Sequence, residues 1–403
     1  MIDAKSGARA AEVARASYGK LLAAMASRTG DIMAAEDALA EAFARALATW
    51  PDRGIPPNPE AWLMTTAKNT LIDHQRRMRR MDVTDTPPEP ALPQGDPAAL
   101  PDKRLHLMFV CAHPAIDPAI RTPLMLQTVL GVEASDIAKA YLMPSATMAQ
   151  RLVRAKRKIK EAGIAFRLPE EDELGPRMEA VLEAVYGAFS IDWLGETQPL
   201  AEEALYLARV LADVAAEDAE VLGLAALVSF IHARRAARII DGVLVPLHEQ
   251  DTGLWDADLV EHAGNLLERA SEKGVIGRFQ LEAAIQSVHA ARLRTGETDW
   301  RALTQLHTAL TQLYPTIGAA VSRAVAIGFY AGPAAGLTAL DTIDPAAIET
   351  FQPAWAARAH LLAEGGRREE ALAAYATAIK LCTDPPLRRW LDGQRDRLVG
   401  LRH

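Results

Sequence analysis

The chain has 403 residues, of which 50% are hydrophobic and 5% aromatic, and its formal net charge is −8 at pH 7. One hydrophobic core rarely organises so long a chain, so two or three domains are expected. Two cysteines do not make a disulfide framework, and the sequence contains neither an apolar leader nor an apolar run of membrane-spanning length. We therefore expect a cytoplasmic protein without a membrane partner.

The charge is unevenly distributed along the chain. Residues Met1–Pro169 contain 23 Lys and Arg against 18 Asp and Glu, whereas Glu170–His403 contain 21 against 34. Phosphate groups attract the first part and repel the second. We therefore expect nucleic-acid contact in the N-terminal part and protein contact in the C-terminal part.

The secondary structure is predicted to be almost entirely helical. Alanine and leucine are abundant and aromatic residues are few, which favours helices over sheets. The exception is a candidate for a short β-hairpin near Gly242–Leu247. The sequence therefore predicts an all-α fold.

Three helices are predicted before residue 82. They cover Ala8–Arg28, Ile32–Trp50 and Glu60–Arg80. Asp31 is placed to cap the second helix. The loop Pro51–Asn58 breaks the chain and ends in a capping asparagine, which is followed by a proline at the first helical position.

Three segments of these helices resemble region 2 of the extracytoplasmic-function (ECF) sigma factors, the small two-domain members of the sigma-70 family. They are Asp37–Phe43, Pro59–Leu63 and Ala67–Asp73, the last followed by Arg76 and Arg77. The order and spacing of the segments carry the resemblance. It implies a protein that binds core RNA polymerase.

The resemblance also implies roles for individual residues. Asp37 and Glu41 would contact the clamp helices of the polymerase β′ subunit. The loop before the third helix and the helix itself would capture an unstacked base of the −10 promoter element, which requires amide groups, an apolar wall and cations for the phosphates. The residues of that kind are Asn58, Trp62, Lys68, Asn69, Asp73, Arg76, Arg77 and Arg80. Core packing is the alternative role for Trp62, and ordinary solvent exposure is the alternative for Asp37 and Glu41.

A linker is predicted between Asp82 and Pro101. It contains six prolines and four acidic residues and has almost nothing apolar to bury. In the family the equivalent segment threads the polymerase cleft.

A second helical unit follows, and its last two helices form a helix-turn-helix pattern. The four predicted helices are Leu105–His113, Pro118–Val129, Ser135–Leu142 and Ser145–Glu161. In the last of them Met148, Leu152, Ala155 and Ile159 recur at helical spacing, while polar and basic residues gather on the other side. Ser145 is predicted to cap this helix through its hydroxyl group. A solvated basic face on an ordinary helix is the alternative interpretation.

This unit resembles sigma region 4, which reads the −35 element in duplex DNA and contacts the polymerase β flap. The closest likeness is to a subgroup with a C-terminal extension, and Cys111–Ala115, Ala146–Lys156 and Gly163–Phe166 carry it. The N-terminal residues of a recognition helix face the bases, and the later cations face phosphates. The predicted base contacts are Ser145, Thr147, Met148, Gln150 and Arg151, and the predicted phosphate contacts are Arg154, Arg157 and Lys158.

No metal, cofactor or catalytic site is predicted. Cys111, His106 and His113 lie close together in the sequence, but a fourth ligand at a zinc spacing is missing. The chain also shows no acid–base or nucleophile set and no phosphate-binding glycine loop, which argues against an enzyme.

The extension after Arg177 is predicted to be helical throughout. Trp355, Ala359, Leu362, Gly366, Ala371, Tyr375 and Ala378 have the offsets of a tetratricopeptide (TPR) helix pair. Weaker echoes elsewhere indicate a degenerate solenoid, with simple helical packing as the alternative. The subgroup resemblance implies that this part regulates the sigma domains in cis, by binding a regulatory protein or a ligand.

The predicted organisation has four parts: region 2 at residues 1–81, a linker at 82–101, region 4 at 102–169 and the extension at 170–403. Three functions fit it. The first is a sigma factor that directs core RNA polymerase to promoter DNA, and the second is a helix-turn-helix activator that binds duplex DNA without acting as a sigma subunit. The third is a scaffold whose TPR-like half binds other proteins. The likeness to region 2 favours the first.

Overall fold

The computed structural model describes residues 17–81, 102–192 and 199–400. Of residues 74–81, 171–172, 192 and 199 it describes the backbone alone. The predicted linker and the predicted helical segment 8–16 lie outside the described residues. The prediction of an all-α fold is confirmed, because the regular secondary structure of the described residues is helical except for one β-hairpin with two residues in each strand.

The chain forms two compact units, residues 1–207 and 208–403. The helices of the first unit are α1 (17–29), α2 (Ile32–Arg53), α3 (Pro59–Met81), α4 (Arg104–Cys111), α5 (Pro118–Thr128), α6 (Ala134–Ala140), α7 (Ser145–Glu161), α8 (Glu171–Asp192) and α9 (Pro199–Val214), which crosses the boundary.

In the first unit α2 packs on α3, and α4 and α5 pack together beneath the α6–α7 pair. The helix α2 is longer than predicted and continues past Pro51 to Arg53. A proline in the last turn leaves one carbonyl of the preceding turn without its helical hydrogen bond. That carbonyl belongs to Leu47, which is 53% exposed, so water can hydrate it.

The first two helices of the sequence-predicted extension are tied to the first unit. The helix α8 packs on α4 and α5, and the Arg177 guanidinium donates to the carbonyl of Phe109 at 3.4 Å. Arg104 of α4 is 7% exposed and forms ion pairs with Asp102 and with Glu203 of α9. The compact unit therefore ends about 40 residues later than the predicted end of region 4 at residue 169, because α8 covers apolar surface of α4 and α5.

The helices of the second unit are α10 (Ala219–His232), α11 (Arg235–Arg238), α12 (Ala257–Glu272), α13 (Arg278–Ala290), α14 (Arg292–Thr295), α15 (Trp300–Leu313), α16 (Ile317–Ala331), α17 (Pro333–Leu340), α18 (Pro345–Ile348), α19 (Gln352–Glu364), α20 (Arg368–Leu381) and α21 (Pro385–Gly400). Short 3₁₀ turns cover Leu247–Glu249 and Thr252–Leu254.

A short hairpin is present as predicted, but it covers Ile239–Leu244 and so lies three residues before the predicted Gly242–Leu247. Strand β1 (Ile239–Ile240) pairs antiparallel with β2 (Val243–Leu244). Asp241 and Gly242 between them have φ values of 52° and 75°. An Asp-Gly pair with positive φ at both positions is the preferred two-residue hairpin turn, because its twist matches that of the strands.

Helices of the second unit pack in sequence order, α13 on α10, α15 on α13, α16 on α15, and so on to α21, which contacts β2. The predicted TPR-like pair corresponds to α19 and α20, which pack against each other. Ala359, Leu362, Ala371, Tyr375 and Ala378 share one buried cluster there. The helical hairpin is thus present, and its membership of the TPR family stays a prediction.

Candidate nucleic-acid interface

The helix-turn-helix is formed by α6, a turn of four residues and α7. The turn contains Leu142 at φ 49° with its side chain 94% exposed. The helix α7 begins at Ser145, as predicted, and its apolar stripe is buried against α5 and α6. The side chains left exposed on α7 include the predicted DNA contacts Ser145, Thr147, Gln150, Arg151, Arg154, Arg157 and Lys158.

Two predictions for α7 are wrong. Met148 is fully buried, so it belongs to the core and does not face bases. Met148 lies four residues before Leu152 in the apolar stripe, so both side chains lie on the same face of the helix and point into the core. Ser145 does not cap the helix: Pro144 is the capping residue, no side chain caps there, and the Pro144 carbonyl accepts from the amides of Thr147 and Met148.

The cations of α7 fall into two groups. Arg151, Arg154, Arg157 and Lys158 are exposed, and none of them forms an ion pair with a described residue. Their charges are therefore available to phosphate groups. Lys156 and Lys160 point elsewhere, toward α2.

The contact between α7 and α2 links the two parts that the sequence assigns to regions 4 and 2. The Lys156 ammonium donates to both carboxylate oxygens of Glu36 at 2.6 and 2.7 Å, and Lys156 is 6% exposed. Lys160 pairs with Asp31 at 2.7 Å. Asp31 also caps α2, as predicted, by accepting from the amide of Ala34 at 3.1 Å. Burial raises the pKa of Glu36, although the charge of Lys156 opposes the shift.

A second contact between the same two parts involves no charged group. Gly19 of α1 lies so close to the loop after α5 that an added Cβ atom would be 1.8 Å from the carbonyl oxygen of Val129. Any side chain at position 19 would force α1 away from that loop. Neither contact is predicted by the sequence.

The predicted −10 residues on α3 form a partly open stripe. Trp62, Asn69 and Asp73 are seven and four residues apart, so they share one face of the helix. Asn69 and Asp73 are exposed, and Lys68 is half-buried. The side chains of Arg76, Arg77 and Arg80 lie outside the described residues.

Asn58 and Trp62 each have a structural partner. Asn58 caps α3, because its side-chain oxygen accepts from the amide of Ala61 at 3.0 Å. The Trp62 ring is half-buried and meets the fully buried Trp50 ring edge to face, with centroids 5.6 Å apart. Trp62 therefore packs on the core with one part and remains open with the other, which allows both roles that the sequence left open.

The predicted polymerase contacts lie on α2. Asp37 is exposed, and Glu41 is partly exposed and pairs with Arg45 one turn later. The buried face of the same helix carries Ala35, Leu39 and Trp50.

Cys111, His106 and His113 do not converge on a metal. The Cys111 sulfur lies 3.6 Å from the Thr128 hydroxyl oxygen, and burial raises the pKa of the thiol to about 12. His113 accepts from the amide of Ala115. Within the described part of the chain, no three His, Cys, Asp or Glu side chains are grouped as a metal site would require. None of the described helices has the length and hydropathy that crossing a bilayer needs.

Comparison with known proteins places the first three helices in a family. Residues 14–81 match sigma-70 region 2. The chain therefore contains a sigma-70 region 2 domain. That region implies a sigma-factor-like role in transcription initiation, with binding to core RNA polymerase and promoter DNA.

The other matches are to uncharacterised relatives. Residues 177–271 match a family of unknown function, DUF6596. An uncharacterised protein of Rhizobium meliloti (strain 1021) is 33% identical over 384 residues, which are 91% of this chain and 90% of the relative. The likeness therefore extends over the extension as well as the sigma part. No solved structure matches the chain.

Proposed function

We propose that this protein is an ECF-type sigma factor of the sigma-70 family that directs core RNA polymerase to promoters through a −10 and a −35 element. The match of residues 14–81 to region 2 carries the proposal. The exposed cations of α7 support it, because α7 is the second helix of a helix-turn-helix in the same compact unit. In this proposal region 2 covers residues 1–81 and region 4 begins at residue 102.

The −35 reader in this proposal is the exposed face of α7. Ser145, Thr147, Gln150 and Arg151 reach base edges, and the later cations Arg154, Arg157 and Lys158 reach phosphates. On the −10 side the stripe of Trp62, Asn69 and Asp73 takes the flipped base. Region 2 contacts the β′ clamp helices through Asp37 and Glu41, and region 4 contacts the β flap.

Reconstitution with core RNA polymerase tests this function. The purified chain, added to core enzyme free of other sigma factors, is expected to start promoter-specific run-off transcripts from upstream fragments of its own genome. An Asp37→Ala variant is expected to weaken binding to core enzyme, whereas an Asp52→Ala variant, which removes another exposed acid of the same helix, provides a matched control. A chain that binds duplex DNA tightly but starts no transcript with core enzyme would instead be an activator.

We also propose that the extension regulates the sigma part in cis. The attachment of α8 and α9 to α4 supports a physical connection between them. A cut after Arg167 would strip α8 from the first unit, so the informative truncation lies after Val214. We expect the chain truncated after Val214 to start a different amount of transcript from the full chain. Its affinity for a −35 duplex should remain measurable. Equal transcript levels in the two forms would remove the regulatory role.

A further inference from the structure

The second unit contains a cavity of about 610 Å³ that the sigma function leaves without a role. It lies among α13, α15, α16, α19, α21 and the 3₁₀ turn after β2. Cavities of this size are typical of sites for small organic molecules, and such sites are mostly apolar with a few convergent polar groups.

A cluster of four rings forms one wall of the cavity, and we call it the ring cluster: Trp300, Phe329, His248 and His360. The Trp300 and Phe329 rings are stacked, with centroids 4.0 Å apart and planes 7° apart. His248 meets Phe329 edge to face at 5.0 Å, and His360 lies against it at 5.3 Å with a tilt of 30°. Phe329 is therefore the centre of the cluster, and the wall offers π-faces and ring edges to a planar ligand.

Two further histidines lie deeper in the lining and are uncharged. Burial lowers the pKa of His289 to about 3 and that of His307 to about 4. Within the described residues the Nδ1 atom of each is buried without a hydrogen-bond partner. Buried unpaired polar atoms are unfavourable for folding, so each of them needs an explanation, and a ligand that bonds to them would supply one.

The charged groups stand at the mouth of the cavity. Glu249, Glu364 and Arg397 line it and are exposed. Two carboxylates and one guanidinium give the mouth a net negative charge, which favours a positive group.

We propose that this cavity binds a ring-bearing small organic molecule with an amine or another cationic group. The ring lies against the ring cluster, and the cation lies at Glu249 and Glu364. Aromatic faces attract cations as well, so both ends of the site favour the same charge. The proposal stands independently of the sigma function, since it concerns the extension alone.

Three indole compounds that differ in charge test the ligand class on the full chain. Tryptamine is a cation, tryptophol is neutral and indole-3-acetate is an anion, and ligand-observed NMR titrations measure the affinity of each. We expect tryptamine to bind about tenfold more tightly than tryptophol, and indole-3-acetate to bind most weakly. The reverse order, or no saturable binding of tryptamine up to about 5 mM, would overturn the proposal.

Matched variants locate the site. Phe329→Leu removes the centre of the ring cluster and is expected to weaken tryptamine about tenfold, whereas Tyr330→Leu alters the neighbouring ring, which is 54% exposed and outside the lining, and should leave affinity unchanged. Glu364→Gln should weaken tryptamine and spare tryptophol. Circular dichroism checks that each variant is folded. Equal binding by Phe329→Leu and the unchanged chain, both folded, would place the ligand elsewhere and refute the assignment.

Discussion

Lys156 of helix α7 and Glu36 of α2 form a buried ion pair, with the ammonium 2.6 and 2.7 Å from the two carboxylate oxygens. The pair joins a residue of the region 2 match to the helix that carries the candidate −35 contacts. Lys156 lies on the side of α7 that does not carry the exposed residues Arg151, Arg154 and Lys158. The same helix therefore holds two parts of the first unit together and leaves a cationic face open.

The Lys156–Glu36 pair is expected to matter for stability. Lys156→Met removes the cation and leaves a carboxylate that is mostly buried, which should lower the free energy of unfolding of the first unit by about 2 kcal/mol, below the range of about 3–5 kcal/mol for fully buried pairs. Urea unfolding followed by circular dichroism measures it. Lys158→Met, two residues along on the exposed face, is the control and should change little. The double variant Glu36→Gln with Lys156→Met should regain most of the loss, and a double variant as unstable as Lys156→Met would contradict the buried-pair account.

The loss in Lys156→Met should depend on pH. The pKa of Glu36 is already raised by burial, and removal of Lys156 takes away the charge that opposes the shift. A carboxyl group whose folded pKa is raised stabilises the fold fully below its unfolded pKa, and this contribution is lost as pH rises through the folded value. The deficit of the variant should therefore be larger at about pH 7.5 than at about pH 5. A deficit that grows in acid would show that Glu36 is not the responsible group.

Gly19 is expected to tolerate no side chain. The Cβ atom of Gly19→Ala would lie 1.8 Å from the Val129 carbonyl oxygen, which is backbone and cannot rotate away. We expect a loss of about 2 kcal/mol or more in the stability of the first unit. In Gly187→Ala, on α8 of the same unit, the nearest atom to the new methyl group would be Leu126 Cδ2 at 4.0 Å. That control should gain up to about 1 kcal/mol from the better helix propensity of alanine. Equal effects of the two changes in thermal unfolding would argue against a close α1 contact.

Arg151 and Arg157 are expected to affect DNA binding differently. Arg151→Ala should weaken binding to the −35 duplex by about 1–3 kcal/mol and relax specificity, because a bidentate base contact is lost. Arg157→Ala should weaken binding to the −35 duplex and to a scrambled duplex alike and reduce the salt dependence. Fluorescence anisotropy at one fixed salt concentration measures both. If Arg151→Ala lost equal affinity for both duplexes, Arg151 would be a phosphate contact.

Cys111 is expected to resist alkylation in the folded chain. With its pKa raised to about 12 by burial, roughly one thiol in ten thousand is a thiolate at pH 8, and the side chain is inaccessible. Iodoacetamide at pH 8 should leave Cys111 unmodified by mass spectrometry for as long as the chain is folded. The same treatment in guanidinium chloride should modify it completely. Rapid modification without denaturant would mean that the α4–α5 core opens readily.

Local features of the fold could be predicted where neighbouring residues decide them. The start of α7 follows from a proline and the 4-3-4 spacing of its apolar residues, and the hairpin turn follows from Asp241 and Gly242, whose positive φ values the turn requires. Met148 shows the limit within one helix. The sequence assigned Met148 both to the apolar stripe and to a DNA contact. In the structure its side chain is buried in the core of the first unit.

Contacts between distant parts of the chain could not be predicted in this way. Glu36 and Lys156 are 120 residues apart, and each alone resembles any surface charge. The four histidines of the cavity come from separate elements, and each alone resembles a histidine on an apolar helix face.

The sequence by itself determined the helical architecture, the sigma-70 region 2 domain at residues 14–81 and the basic character of α7, because helix periodicity, capping and charge are properties of neighbouring residues. The tertiary structure alone decided which basic residues remain free, where the first unit ends and that a ring-lined cavity lies in the extension. These depend on which surfaces bury one another, and burial arises from residues far apart in the chain.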